Sequence, residues 1–278
     1  MNTTVRTLDV PGATLHYEVR GEGPALLLIC GGIYDAAGYA GLAEQLADRY
    51  TVVTYDRRGN SRSPLAGPPE PQRIDVHADD ASRLLAEVAD GPAFVFGNSS
   101  GAQIGLDLAA RYPERVRALI AHEPPLLRML DAGYWEKALT EVERAFREDG
   151  AGAAMGTFGA AMGMSGGEDT DSEAGGSEPT PEMREMLARF ERNTGFFVGY
   201  EVPYFGRWMP DVDALRGSSA RIVLAAGEGS VGEPPHEAAH ALAERLGTKA
   251  DTYPGDHGGF GPAADAFATR LDEVFSTS

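Results

Sequence analysis

Cysteine is almost absent from the chain. Cys30 is the single cysteine among 278 residues, so no intramolecular disulfide can form, which is compatible with a reducing compartment and a cytoplasmic location. Basic residues are also few: 24 Lys and Arg stand against 42 Asp and Glu, for a formal net charge of −18. This charge repels phosphate groups and therefore argues against nucleic-acid partners and anionic membrane surfaces.

Long hydrophobic runs are missing as well. The longest apolar run is far shorter than a membrane span, and residues 1–6 lack the apolar core of a signal peptide. The sequence also has no internal repeat. With 42% hydrophobic and 24% charged residues, the composition is typical of a globular protein with one large domain, or with one domain that carries a sizeable insertion.

Short apolar runs alternate with helical segments through much of the chain. Continuous or alternating apolar runs predict strands, and the runs lie at 13–19, 25–30, 51–55, 94–98, 118–121 and 221–226. The segments between most of them show helical spacing. This alternation predicts an α/β fold, a doubly wound and mainly parallel sheet with helices on both faces. Ligands bind such sheets beyond the carboxyl ends of the strands.

The alternation stops after Pro125 and resumes near residue 221. Residues 126–215, called the cap segment below, contain helical pieces but no alternation of strands and helices. We therefore predict a core made of residues 1–125 and 216–278, with the cap segment inserted as a helical lid. Within it, residues 165–180 are polar and glycine-rich, a composition that predicts a mobile loop.

One apolar run ends in Gly97-Asn98-Ser99-Ser100-Gly101, and a helical run of small residues follows immediately. Gly-x-Ser-x-Gly between a strand and a helix is typical of a tight, strained turn that presents the serine hydroxyl at the start of the helix. The glycines leave room for the bend. Ser99 is therefore the candidate nucleophile.

Together with this turn, four further motifs give the chain a recognisable resemblance. They are Leu28-Ile29-Cys30-Gly31-Gly32, Asp56-Arg57-Arg58-Gly59-Asn60-Ser61, Arg111-Tyr112-Pro113-Glu114-Arg115-Val116 and Gly255-Asp256-His257. In this order the chain resembles the α/β-hydrolase superfamily, and more narrowly its serine hydrolases with a helical cap, such as esterases and lactonases. The resemblance implies the doubly wound core, a catalytic triad and no cofactor.

A serine hydroxyl needs a base to act as a nucleophile at neutral pH. His257 follows a late strand, and the order of serine before histidine fits the family. Many relatives carry the triad acid in a Gly-x-x-Asp turn, where this chain has Ser230. Some lactonases of fungal macrolactones instead place a glutamate one strand earlier, which implies Glu123 as the acid here. Glu228 is the alternative.

Two backbone N–H groups are expected to form the oxyanion hole, one from Ser100 and one from Gly32. An aromatic stretch of the cap segment, residues 195–209, predicts an apolar roof over the site. We expect substrate contacts from Trp208, Phe197 and Tyr200, and from Ile33 in the loop after the early strand.

One pattern points to different chemistry. His236-Glu237-Ala238-Ala239-His240 matches the zinc-protease motif on a predicted helix. However, the apolar side of this helix places Glu237 on the solvent side, and no third ligand follows at a typical spacing. We therefore predict no metal site.

The sequence thus predicts a serine esterase or lactonase that acts on an apolar small molecule through an acyl-enzyme. Two alternatives stay open. A hydrolase of carbon–carbon bonds, or a haloperoxidase-like member of the same fold, would share the nucleophile and the histidine. A catalytically silent hydrolase fold that only binds a ligand would explain Ser230 at the usual position of the acid. The oligomeric state is left open.

Overall fold

The computed structural model describes residues 3–163 and 180–277. Apart from Thr180, the predicted mobile loop lies outside these residues. Eight strands form one sheet in the order β1-β2-β4-β3-β5-β6-β7-β8. Their bounds are Thr4–Val10, Ala13–Arg20, Ala25–Ile29, Thr51–Tyr55, Ala93–Asn98, Val116–His122, Arg221–Gly227 and Asp251–Tyr253 for β1 to β8.

The sheet is parallel from β4 to β8, whereas β2 pairs antiparallel with both β1 and β4. The prediction of a mainly parallel, doubly wound sheet is confirmed. Strand β1, whose residues are mostly exposed at the edge of the sheet, was not predicted from the sequence. An edge strand of this kind buries too little to produce a clear apolar alternation.

Helices cover both faces of the sheet because the central strands are apolar on both sides. In β3, Leu27 and Ile29 face one hydrophobic cluster while Leu26 and Leu28 face another. Five helices pack on the sheet: Ala40–Leu46 (α1), Ile74–Val88 (α2), Ser100–Arg111 (α3), Pro234–Arg245 (α9) and Ala264–Phe275 (α10). The first cluster is completed by α2, α3 and α9, and the second by α1 and α10.

Between β6 and β7 the described residues form helices joined by turns and loops, with no strand. The α-helices are Leu127–Asp149 (α4), Ala151–Ala161 (α5), Pro181–Phe196 (α6), Val202–Phe205 (α7) and Val212–Gly217 (α8), and a π-helical turn spans Phe197–Glu201. Part of this segment has a small core of its own, built on Leu139, Val142 and Val198. The predicted domain bounds stay predictions, since Leu215 and Phe205 belong to the main core. No described helix has the length and apolarity needed to cross a lipid bilayer.

Candidate active site

Ser99 occupies a sharp turn between β5 and α3. Its φ of 55° lies in the left-handed region, which a non-glycine residue rarely adopts and which indicates local strain. The turn is possible because its neighbours lack a side chain. A Cβ at Gly97 would lie 2.3 Å from the Gly101 carbonyl oxygen, and a Cβ at Gly101 would lie 2.0 Å from the Ile29 carbonyl oxygen.

This packing predicts that Gly101→Ala severely destabilises the protein. The new methyl group meets backbone atoms of β3, which cannot move aside, so we expect a loss of about 3 kcal/mol or more in unfolding free energy. Gly105→Ala in the same helix is the matched control, because its Cβ meets only the flexible Leu119 side chain, at 2.8 Å. Chemical denaturation compares the two variants, and equal losses would contradict this explanation of the turn.

Glu123 and His257 lie together although 134 positions separate them. Parallel pairing of β5, β6 and β7 brings the carboxyl ends of these strands to one edge of the sheet. Glu123 directly follows β6, with a φ of 48° and a fully buried side chain. Its Oε2 lies 2.6 Å from His257 Nδ1. Since a carboxylate only accepts, Nδ1 carries the proton of this hydrogen bond and Nε2 makes no contact with Glu123.

Ser230 helps to hold the same carboxylate. Its hydroxyl donates to Glu123 Oε1, and the backbone N–H of Gly227 donates to that oxygen at 2.8 Å. The serine at the position where many relatives carry the acid therefore supports a carboxylate that comes from the neighbouring strand. The alternative acid, Glu228, is exposed and lies near the Gly255 backbone N–H.

The hydrogen bonds keep Glu123 ionised. Burial alone raises the pKa of this carboxyl, but the hydrogen bond from His257, the electrostatic interaction with His122 and the hydrogen bond from Ser230 together outweigh it and lower the pKa to about 2. Because the folded-state pKa lies below the unfolded value of about 4.3, the carboxylate stabilises the fold above that value. The contribution is lost as the pH falls towards about 2.

Acid denaturation tests this linkage. The difference in unfolding free energy between the wild type and Glu123→Gln is expected to shrink by about 3 kcal/mol as the pH falls from about 5 to about 2. Glu233→Gln is the control, because burial and the nearby Glu123 carboxylate raise the pKa of Glu233, so the same loss is not expected. A difference that is independent of pH for Glu123→Gln would refute the assignment.

Asn98, the residue before the candidate nucleophile, connects two histidines. Its Nδ2 donates to the His257 carbonyl oxygen and to His122 Nδ1, each at 3.0 Å. His122 is fully buried against Phe267 and Tyr253, and burial lowers its pKa to about 4. His122 is therefore neutral at pH 7 and is a structural neighbour of the site.

The two residues predicted to give the oxyanion donors, Gly32 and Ser100, both line the same cavity as Ser99. The Gly32 N–H donates to Ser100 Oγ at 3.0 Å, so it is already engaged. The Gly32 carbonyl accepts from Arg57 Nη2 at 2.6 Å. In a planar trans peptide the next N–H points the opposite way, so the Ile33 N–H points away from Arg57. Among the described residues this N–H has no acceptor. It replaces Gly32 as the candidate donor beside the Ser100 N–H.

Ser99 and His257 line a cavity of about 830 Å³. Of the predicted substrate contacts, Ile33 and Phe197 also line it. Trp208 packs instead against the main core, and the Tyr200 ring contacts the rings of Phe146 and Phe196. Both side chains are half-buried and neither is among the residues that line the cavity, so the expected contact with substrate is corrected to a packing role.

Helix α5 also contributes to this cavity, which was not predicted from the sequence. Met155, Phe158, Gly159 and Met162 come from this helix or its end and line the cavity. The signal was present, since these residues recur at helical spacing on one face. The Ala- and Gly-rich composition of the helix concealed it.

Two remaining candidates have no part in this site. Cys30 is buried, its thiol donates to the Tyr34 carbonyl, and burial raises its pKa to about 12. The His236 and His240 rings lie 4.7 Å apart on α9. Over residues 3–163 and 180–277, no group of three or more potential ligands forms that could hold a metal.

Comparisons with known proteins agree with this fold. The family model for the alpha/beta hydrolase fold matches residues 24–193. The uncharacterized hydrolase YraK of Bacillus subtilis (strain 168) is 39% identical over 275 residues, which are 96% of this chain and 94% of that protein. The crystal structure of an alpha/beta hydrolase from Sphaerobacter thermophilus DSM 20745 has a TM-score of 0.69 at 25% identity, covering 97% of this chain and 100% of that one.

A shorter match covers part of the chain. The 2-(acetamidomethylene)succinate hydrolase of Mesorhizobium japonicum is 33% identical over 117 residues, which are 42% of this chain and 41% of that protein. The chain therefore belongs to the alpha/beta hydrolase fold family, and its relatives support an enzyme of the hydrolase class.

Proposed function

We propose that the protein is a serine hydrolase that cleaves an ester or lactone bond of a neutral, apolar small molecule through an acyl-enzyme. The observation that carries the proposal is the buried Glu123 carboxylate, 2.6 Å from His257 Nδ1, while His257 shares a cavity with the strained Ser99. A fold that only binds a ligand needs neither this pair nor the strained turn.

The reaction follows from these positions. Ser99 Oγ attacks the substrate carbonyl while His257 Nε2 takes the hydroxyl proton, and Glu123 stabilises the resulting imidazolium. The N–H groups of Ser100 and Ile33 hold the oxyanion. His257 then protonates the leaving oxygen, which departs as an alcohol from an ester or stays on the acyl chain as a hydroxyl from a lactone. In the second half, His257 takes a proton from a water molecule that attacks the acyl-enzyme carbonyl, and it passes this proton to Ser99 Oγ as the acyl–oxygen bond breaks and the acid is released.

The cavity favours an apolar substrate. Besides the residues from α5, its lining includes Leu127, Phe197, Val202, Phe205 and Phe260. A volume of about 830 Å³ suits a small organic molecule, since such sites typically hold a few hundred to about 1,000 Å³.

The charges around the cavity favour a neutral substrate. No arginine or lysine stands among the lining residues in the part of the chain that the structure describes. Two acidic residues, Glu233 and Asp256, do line it. A carboxylate bound here would lose water without gaining a cationic partner, which is costly. The proposed preference for a neutral substrate therefore differs from the substrate in the name of the 2-(acetamidomethylene)succinate hydrolase, which carries carboxylates.

A pair of esters with acyl chains of similar length tests the charge preference. We expect kcat/KM for p-nitrophenyl butyrate to exceed that for mono(p-nitrophenyl) succinate by at least about tenfold, or ~1.4 kcal/mol. Added salt is expected to narrow the ratio, because screening weakens the repulsion from Glu233 and Asp256. Faster turnover of the succinate ester would contradict a neutral-substrate site.

A wider substrate panel tests the reaction type. It combines p-nitrophenyl esters, aliphatic lactones, a vinylogous diketone for carbon–carbon hydrolysis and a peroxide-dependent halogenation assay. Turnover of esters or lactones that also disappears in Ser99→Ala supports the proposal. Turnover of the diketone alone, or halogenation alone, would assign the site to one of the alternatives that share the same three residues.

A further inference from the structure

The loop that follows β3, residues 31–35, is held by side chains that reach it from elsewhere. The Gly32 carbonyl accepts from Arg57 Nη2 at 2.6 Å, and the next carbonyl, of Ile33, accepts from Asn193 Nδ2 at 2.9 Å. Gly32 has a φ of 56°, and a Cβ there would meet nothing within 4 Å. With open space at this glycine, these hydrogen bonds fix the orientation of the peptides that face the cavity.

Arg57 is itself anchored by the cap segment. Its Nη1 lies 2.7 Å from Glu201 Oε1, and both side chains are fully buried. The pair is incompletely satisfied, because Arg57 Nε and Glu201 Oε2 have no partner among the described residues. A buried pair of this kind contributes little net stability, since desolvation offsets the attraction. Because Arg57 also donates to the Gly32 carbonyl, the pair instead holds the 31–35 loop in place.

Asn193 forms a second connection from the cap segment. The side chain is buried, its Nδ2 also donates to Ser61 Oγ, and its Oδ1 accepts from the Ser61 N–H. Ser61 has a φ of 46° and donates through its hydroxyl to Asp35, at the end of the 31–35 loop. The loop and the strained Ser61 are therefore fastened to one asparagine of α6.

We propose that Arg57, Glu201 and Asn193 are positioning residues through which the cap segment sets the orientation of the oxyanion donor at Ile33. The Gly32–Ile33 peptide is planar, so the bond from Arg57 to its carbonyl fixes the direction of its N–H. Asn193 fixes the next peptide. Glu201 ends the π-helical turn that begins with Phe197, a cavity residue, so one short turn contacts both the cavity and the anchor.

This inference rests on the proposed function, because an oxyanion donor matters only if the site performs acyl transfer. A mispositioned donor loses stabilisation of the transition state and leaves ground-state binding in the apolar cavity unchanged. The expected effect is therefore on kcat and not on KM, and a small displacement of a catalytic group costs up to about 100-fold in rate.

The test uses two variants that preserve shape. Arg57→Met/Glu201→Leu removes both buried charges together. Asn193→Asp keeps the acceptor for the Ser61 N–H but removes the Nδ2 donor to the Ile33 carbonyl and to Ser61 Oγ. With p-nitrophenyl butyrate we expect kcat to fall by at least about tenfold in each, with KM within about twofold. The Ki of an alkyl trifluoromethyl ketone, which forms a tetrahedral oxyanion on Ser99, is expected to rise in parallel, while the Ki of the neutral butan-1-ol stays unchanged.

Arg58 and Asp80 provide a matched control. They form a neighbouring buried pair with two hydrogen bonds of 2.6 Å, which connects the loop after β4 to α2. Among the described residues, neither side chain forms a hydrogen bond with the 31–35 loop. Arg58→Met/Asp80→Leu is expected to change stability without changing kcat or the ketone Ki. If the first double variant fails to fold, Asn193→Asp carries the test alone.

The outcomes separate two kinds of failure. Wild-type kcat and ketone Ki in the folded Arg57, Glu201 and Asn193 variants would overturn the positioning role while the proposed function stands. A wild-type protein that neither turns over the ester nor binds the ketone would overturn the proposed function and this inference with it. Equal losses of kcat in the Arg58/Asp80 control would show a general effect of core damage and also overturn it.

Discussion

Replacement of Ser99 by alanine is expected to lower kcat/KM for p-nitrophenyl butyrate by about five orders of magnitude. The alanine leaves the cavity and the Glu123–His257 pair in place but removes the atom that would carry the acyl group. What remains is binding of the ester and stabilisation of charge by the backbone donors, which accelerates attack by water only modestly.

The neighbouring serine is the control for this variant. Ser100 Oγ accepts the Gly32 N–H, and its backbone N–H is unchanged by substitution. Ser100→Ala is therefore expected to lose less than about tenfold in kcat, because it only loosens the 31–35 loop. Comparable rates for Ser99→Ala and wild type would mean that a different residue, or water alone, attacks the substrate.

Glu123→Gln is expected to lower kcat by about 10³- to 10⁴-fold with a small change in KM. Glutamine has nearly the same shape, but it cannot stabilise the imidazolium that forms when His257 takes the proton. Its amide group also allows donation to Nδ1, which would place the histidine proton on the wrong nitrogen. Steady-state kinetics over a range of pH measure the loss.

Glu228→Gln is the matched control for the identity of the acid. The Glu228 carboxylate is exposed and lies 3.5 Å from the Gly255 N–H. We expect its kcat to stay within about threefold of wild type, since an exposed carboxylate of this kind contributes little. A large loss of kcat in Glu228→Gln, together with wild-type kcat in Glu123→Gln, would show that Glu228 and not Glu123 is the acid.

Moving the carboxylate from position 123 to position 230 is a further test that this carboxylate is the partner of His257. In a Glu123→Ala background, Ser230→Asp places a carboxylate on the loop after β7, where the Ser230 hydroxyl contacts Glu123 in the wild type. We expect kcat of the double variant to be at least about tenfold higher than kcat of Glu123→Ala. In the wild-type background Ser230→Asp brings two carboxylates together in a buried space and is expected to destabilise the protein.

The parts of this structure that could be predicted are those with a local signal. Apolar runs bounded by turns predicted the central strands, because both faces of each strand are buried. The Gly-x-Ser-x-Gly spacing predicted the turn at Ser99, since its geometry depends on residues within a few positions of one another. Ser230 stands where many relatives carry the acid, and this departure from the family pattern indicated that the acid comes from Glu123 instead.

The parts that could not be predicted depend on contacts between distant residues. Arg57 and Glu201 are 144 positions apart, and nothing in either local sequence distinguishes a buried pair from two exposed charges. The packing of Trp208 and the engagement of the Gly32 N–H by Ser100 likewise follow from how the cap segment and the loops meet. Aromatic content alone predicts burial but does not predict which side chains face the cavity.

Covalent labelling is the most direct test of the proposed triad. The wild-type protein is incubated with an alkyl fluorophosphonate, and intact mass and peptide mapping locate the adduct. We expect one adduct per chain, on the peptide that contains Ser99, none in Ser99→Ala and strongly slowed labelling in Glu123→Gln. An unlabelled wild type, or an adduct on another residue while Ser99 stays free, would contradict a serine hydrolase built on Ser99, His257 and Glu123.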